Sequence, residues 1–191
     1  MCGFVGFVNL KEKLNTNSKI ILEKMNNTLF RRGPDEDGYY ISDNACLAHK
    51  RLIVVDPDGG KQPMIEHYSF GDYIICYNGQ IYNTDEIKDI LHSNNFKITT
   101  HSDTELLLKA YIHWGKDVVQ HLNGIFAFAV WNTSTKELFI ARDHFGVKPL
   151  FYTVINNTLV FGSEIKALFE YPSVEKILDS QGISELLGIR S

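Results

Sequence analysis

The chain has 191 residues, 44% hydrophobic and 22% charged, with a formal net charge of -4; that suits one globular domain with a single substantial core and offers no broad attraction for nucleic acid or an anionic membrane surface. No apolar stretch approaches the ~18 to 20 residues that span a bilayer, and no basic region precedes the short apolar N-terminal run, so neither a membrane segment nor a secretion signal is read. The three cysteines, Cys2, Cys46 and Cys76, are too scattered for a disulfide framework, and neither they nor the seven histidines show zinc-ligand spacing, so the expectation is a protein without a metal in a reducing cytoplasm.

In chain order, short runs rich in Val, Ile, Phe and Tyr predict strands over 2–8, 39–41, 73–77, 126–131, 138–141, 150–154 and 159–161. "YIICY" and "IFAFAVW" lack polar alternation, which predicts sheets covered on both faces. Helical stripes begin at Ser18 (Ile21, Leu22, Met25, Leu29), at Asn83 with Glu86 three residues on, and at Ser102 with Glu105, the last stopping at Gly115. A short helix is read over 163–169. The order of elements argues an α+β layered architecture of packed sheets with helices outside. "RDHFGVKP" reads as a hairpin connection between the strands at 138 and 150, and "DGGK" (58–61) as a turn. Residues 174–191 read as a loop and one amphipathic helix, so that 1–170 forms a domain and 171–191 a tail leading to something longer.

Glycine-rich phosphate loops, G-x-G-x-x-G and H-E-x-x-H are absent, so any chemistry must come from side chains and backbone. The chemically suggestive position is Cys2 in "MCGFV". A cysteine opening an apolar strand is ordinarily a small hydrophobe. With Met1 removed, however, Cys2 carries a free α-amine of pKa ~8 beside a thiol near ~8.5, so one residue owns both nucleophile and base. Gly3, lacking a Cβ, allows close approach there.

"MCGFVGFV", "RRGPDEDG", "AHKRLIVVDPDGGKQPM", "YNGQIYN", "HSDTE", "LNGIFAFAVW", "ARDHFGVKPLFY" and "FGSEIKAL" follow one another from residue 2 to about 168. Together they resemble the class II glutamine amidotransferases, and in particular the glutaminase domain of the glutamine-hydrolysing asparagine synthetases. The resemblance implies a four-layer αββα Ntn-hydrolase sandwich, two antiparallel sheets between helices, and hydrolysis of L-glutamine to glutamate and ammonia by the N-terminal cysteine.

Residue by residue, the resemblance assigns Cys2 as nucleophile and the Asn78 side-chain amide with the Gly79 N–H as oxyanion hole, although Asn-Gly is also a strong hairpin signal. Arg51 corresponds to the carboxylate-binding arginine, with the Leu52, Ile53, Val54 and Val55 backbone lining the same pocket. Asp103, a natural helix-start acid, corresponds to the group that receives the substrate α-ammonium. The "RRGPDEDG" loop is placed near the pocket as a cover. Gln80 stands where the family more often has Glu, and Lys50 where an acidic residue is common. No cofactor is expected in this chain: ATP and Mg belong to a C-terminal synthetase domain, the expected partner, whose S-G-G-x-D-S loop is absent here. Partners are otherwise the small-molecule substrate, with no nucleic acid and no membrane, and a homodimer stays open. Two alternatives also stay open: an amidotransferase feeding aminosugar or purine synthesis, and a non-catalytic glutamine-sensing module that retains Met1.

Overall fold

In the computed structural model, residues 1–14, 16–54, 56–177, 179–186 and 188 are described. Among the described residues, nine strands and five helices follow one another as β1 (Gly3–Asn9), α1 (Ser18–Asn27), β2 (Glu36–Ile41), β3 (Ala45–Arg51), β4 (Met64–Tyr68), β5 (Gly71–Ile81), α2 (Thr84–Ser93), α3 (Asp103–Trp114), β6 (Gly124–Asn132), β7 (Glu137–Arg142), β8 (Phe151–Ile155), β9 (Thr158–Gly162), α4 (Ile165–Leu168) and α5 (Ser180–Leu186), with a 3-10 turn at Gly115–Gln120. They form two antiparallel sheets, one ordered β2-β3-β1-β9-β8 and the other β4-β5-β6-β7.

Three apolar layers account for the doubly covered strands. Between the sheets lie Phe4, Val8, Leu47, Ile74, Trp131 and Phe161. Outside the first sheet, Val5 and Phe7, the alternate residues of β1, meet Leu22 and Met25 of α1 and Leu29 in the turn after it. Outside the second, Ile75, Tyr77 and Phe128 meet Leu106 and Leu107 of α3 and Ile87 and Leu91 of α2. With each fully buried large side chain worth about 1.5–3 kcal/mol, these layers dominate the stability. The result is the expected αββα sandwich.

Helix starts are only half as expected. The Ser102 side chain accepts from the Thr104 N–H at 3.2 Å, but Glu105 does not reach back to close a capping box. It is buried and accepts instead from the backbone and hydroxyls of Thr99 and Thr100 and pairs with Lys109. At α2, Asn83 binds Glu86 side chain to side chain, at 3.1 Å, and makes no cap bond.

Four expectations on strands and connections need correction. The strands β3 and β4 were not read. β3 is an interior strand of the first sheet, although it ends His-Lys-Arg, because β2 places an acid opposite each cation: Glu36 faces Arg51 and Asp37 faces Lys50 in register. "RDHFGVKP" is no hairpin connection, since β7 belongs to one sheet and β8 to the other; it crosses between sheets around Asp143, which accepts the N–H groups of Phe126, Val147 and Lys148. Asn78-Gly79 is no turn either: both lie inside β5, paired with Ala127 and Phe126 of β6.

Candidate active site

The carboxyl-terminal ends of β3 and β5, the first residues of the chain and the start of α3 converge on a cavity of about 210 Å³. Its wall includes Cys2, Arg51, Leu52, Val54, Asn78, Gly79, Gln80 and Asp103, residues the sequence singled out, together with Met1, Gln62, Tyr77 and Lys148. Ile53 does not belong to the wall; its N–H is turned to Asp35 Oδ2 at 2.8 Å. Val55 lies outside the described residues.

Cys2 is half-buried, its Sγ accepting from the Leu52 N–H at 3.4 Å and lying 3.5 Å from the Leu52 carbonyl. The other two cysteines are core groups: both are buried, and burial pushes the Cys46 thiol up to about 12 and the Cys76 thiol higher still. The strand behind Cys2 is pinned at several points. Phe4 and Ser163 exchange two hydrogen bonds, N–H to Oγ at 3.0 Å and N–H to carbonyl at 2.8 Å. Arg32 Nε donates to the Cys2 carbonyl at 3.0 Å and is itself held by Glu164 at 3.1 Å.

A Cβ at Gly3 would lie 3.0 Å from Arg32 Cδ, so the glycine also makes room for this arginine. Arg32 belongs to "RRGPDEDG", which is a brace more than a cover. Besides Arg32, that stretch sends Asp35 to Ile53, Glu36 to Arg51 and Asp37 to Lys50. The signal in the sequence is the run of acids in "DED" set against the cations of "HKR".

Arg51 is 4% exposed. It donates from one guanidinium nitrogen to Glu36 at 2.7 Å and to the Pro57 carbonyl at 2.8 Å, and from the other to the Asp56 carbonyl at 2.6 Å. The "DPDGG" turn therefore wraps this side chain. A Cβ at Gly60 would meet an Arg51 nitrogen at 2.3 Å, so only glycine lets the turn close that tightly. Asp56 ties the turn together by accepting from Gly59 and His101, bonds that hold its carboxyl below the usual range.

Asn78 contrasts with Arg51. It is 2% exposed, yet its Nδ2 has no hydrogen-bond partner. A buried donor left unsatisfied costs about 1–3 kcal/mol and calls for an explanation. Gly79 follows it. A Cβ there would meet the Ile125 carbonyl oxygen at 2.5 Å, which only glycine avoids. Along β5, the N–H groups of Tyr77, Gly79 and Ile81 share one edge by the period of a strand. Tyr77 N–H is taken by Gln62 Oε1 at 2.6 Å and Ile81 N–H by Asp103 Oδ2 at 3.3 Å, which leaves the Gly79 N–H between them, on the cavity side. Gln62, not read from the sequence, also donates to Thr104 Oγ1 at 3.2 Å and so fixes this edge to α3.

Asp103 begins α3 and accepts from the Tyr77 hydroxyl at 2.7 Å. Burial raises its pKa above the usual carboxylate value, against the lowering effect of Tyr77, Ile81 and the helix N–H groups. His49, fully buried on β3, bonds the Tyr77 carbonyl at 3.0 Å through Nε2, while its Nδ1 is unpartnered. Burial, reinforced by the nearby Arg51 charge and opposed by the Tyr77 bond, lowers its pKa to about 4. Gln80 is exposed at the cavity rim.

A sulfur, two backbone or amide donors, a cation and an anion line one small cavity, a set of groups that suits chemistry on an uncharged carbonyl borne by a zwitterion. Comparison with known proteins agrees. A glutamine amidotransferase domain family matches residues 1–191. Asparagine synthetase [glutamine-hydrolyzing] 3 of Bacillus subtilis (strain 168) is 44% identical over 189 residues, 99% of this chain and 31% of that protein. Asparagine synthetase [glutamine-hydrolyzing] 1 of the same organism is 40% identical over 169 residues, 88% of this chain and 26% of that protein. This chain thus spans about a third or less of these relatives. The solved structure of glutamine phosphoribosylpyrophosphate amidotransferase from B. subtilis, in complex with ADP and GMP, superposes with a TM-score of 0.73 at 20% identity, over 88% of this chain and 43% of that one, and shares its fold.

Proposed function

The chain belongs to the family of glutamine amidotransferase domains, and from that premise we propose that it hydrolyses L-glutamine to L-glutamate and ammonia with Cys2 as nucleophile. The observation that carries this reading is the orphaned Nδ2 of buried Asn78 in the wall shared with Cys2 and Gly79. An oxyanion forming beside Cys2 satisfies that donor, and does so only as the reaction proceeds, which is how binding energy becomes catalysis.

With Met1 in place the Cys2 nitrogen is an amide and no base. Once Met1 is removed, the α-amine takes the thiol proton and the thiolate attacks the carboxamide carbon. The Asn78 Nδ2 and the Gly79 N–H receive the oxyanion. Collapse breaks the C–N bond, the α-amine returns the proton to the departing ammonia, and water then cleaves the γ-glutamyl thioester to glutamate. Asp103 pairs with the substrate α-ammonium, and Arg51, with Leu52, Val54 and Gln80 beside it, faces the α-carboxylate.

By the same reading residues 1–170 are the glutaminase unit of a cytoplasmic protein. Residues 171–191 begin the connection to a synthetase domain that uses the ammonia to make asparagine from aspartate. ATP and Mg serve that second reaction; this sequence holds no phosphate loop for them, and no step above runs through them.

The test is glutamate release by a preparation whose intact mass shows Met1 removed. Cys2→Ala should lower the rate by at least about 10⁴-fold. Undiminished release by that variant overturns the assignment.

A further inference from the structure

Tyr77 is tied to the site at every polar atom it has. Its N–H donates to Gln62 Oε1, its carbonyl accepts from His49 Nε2, and its hydroxyl donates to Asp103 Oδ2, at 2.6, 3.0 and 2.7 Å. Its ring is buried in the layer between β5 and α3. The oxygen of Asp103 that takes the hydroxyl also takes the Ile81 N–H. Two donors from β5, one on each side of Asn78 and Gly79 in sequence, therefore fix the carboxylate that begins α3. The donors proposed to receive the oxyanion and the anchor proposed for the α-ammonium are registered to one another by a single strand.

We propose that Tyr77 is a positioning residue for substrate recognition: its hydroxyl orients Asp103 for the α-ammonium of glutamine. This rests on the glutaminase reading above. The chemistry is that of a charge-assisted hydrogen bond, which favours the ionised carboxylate and restricts its torsion. Asp103 needs that help, because its burial disfavours charge. The other titratable or charged groups that share a cavity with it are the Met1 amine, Cys2, Arg51 and Lys148 in the main cavity, and Lys88 and His101 in a smaller hollow of about 120 Å³. None of these is a described hydrogen-bond partner of Oδ2, so loss of the phenol leaves Asp103 with the Ile81 N–H alone on that oxygen.

The test compares wild type and Tyr77→Phe, both with Met1 removed, on L-glutamine and on glutaramate, the same amide without the α-amino group. Thermal unfolding of both proteins establishes that the variant is folded. Tyr77→Phe should raise KM for glutamine about 10-fold with kcat within about twofold, the loss expected for one hydrogen bond to a charged group. It should leave kcat/KM for glutaramate within about twofold, because that substrate offers Asp103 no partner. The acid limb of kcat/KM for glutamine should move to higher pH, since removing a donor to the carboxylate favours its protonated form. Equal losses on both substrates, or no loss on glutamine, overturn the inference while the glutaminase reading stands. A wild-type protein that releases ammonia from neither substrate overturns that reading and this inference with it.

Discussion

Arg51 and Asn78 line one cavity, yet they are built in opposite ways. Arg51 is surrounded by acceptors: Glu36 across the strand pair and the carbonyls of Pro57 and Asp56 from the turn that wraps it. Asn78 is as deeply buried and keeps a donor without a partner. A satisfied buried cation organises structure, holding a loop and a strand end where a substrate carboxylate can meet its field. An unsatisfied buried donor is a cost in the resting protein that a reaction intermediate can offset. Two residues matched to one family motif set therefore carry different ratios of stability to chemistry.

Asn78→Ala should break the comparison most sharply, lowering kcat by about 10²–10³-fold, the loss typical of one oxyanion donor. Steady-state glutamate release reads it, and thermal unfolding of the same protein should show a smaller shift than any Arg51 variant. A variant whose Tm falls while kcat holds would make Asn78 a structural residue.

His49 joins the two corners, two residues from Arg51 on β3 and bonded to the carbonyl just before Asn78. Its folded pKa of about 4 lies below the unfolded value near 6.5, so between these limits the unfolded chain binds more protons. Stability should therefore fall as pH drops from about 6.5 towards 4, by up to about 3 kcal/mol from this group. Denaturant midpoints measured across that range check it, and His49→Gln, which keeps a donor for Tyr77 but cannot titrate, should flatten the slope.

Arg51→Met tests the structural corner. Removing the guanidinium leaves Glu36 and two carbonyls without their donor, a loss of about 2 kcal/mol after allowance for the solvent that reaches Glu36. Tm should fall by about 4–8 °C. KM should rise, with kcat changed less than by Asn78→Ala.

Much of this was legible in the sequence, and for local reasons. Apolar runs without alternation marked strands covered twice, and helical stripes from Ser18, Asn83 and Ser102 are in place. What escaped depended on partners far along the chain. β3 ends in His-Lys-Arg and looks solvated until Glu36 and Asp37 are set opposite it, and that pairing also accommodates Lys50 where an acid is common. Arg32 bonds a backbone carbonyl 30 residues away, and Gln62 a backbone N–H 15 residues away, contacts that carry no local pattern. Asn78-Gly79 has the composition of a turn, but strand pairing with β6 outweighs that local preference, and Gly79 is there because a Cβ has no room.

The central claim is that the chemistry belongs to Cys2 once its nitrogen is free. Incubation with a diazoketone analogue of glutamine, read by intact mass and peptide mapping, tests it most directly. Molecules lacking Met1 should take up a single label on Cys2, and molecules retaining Met1 should stay unlabelled. Equal labelling of both populations, or labelling at Cys46 or Cys76 in place of Cys2, would contradict it.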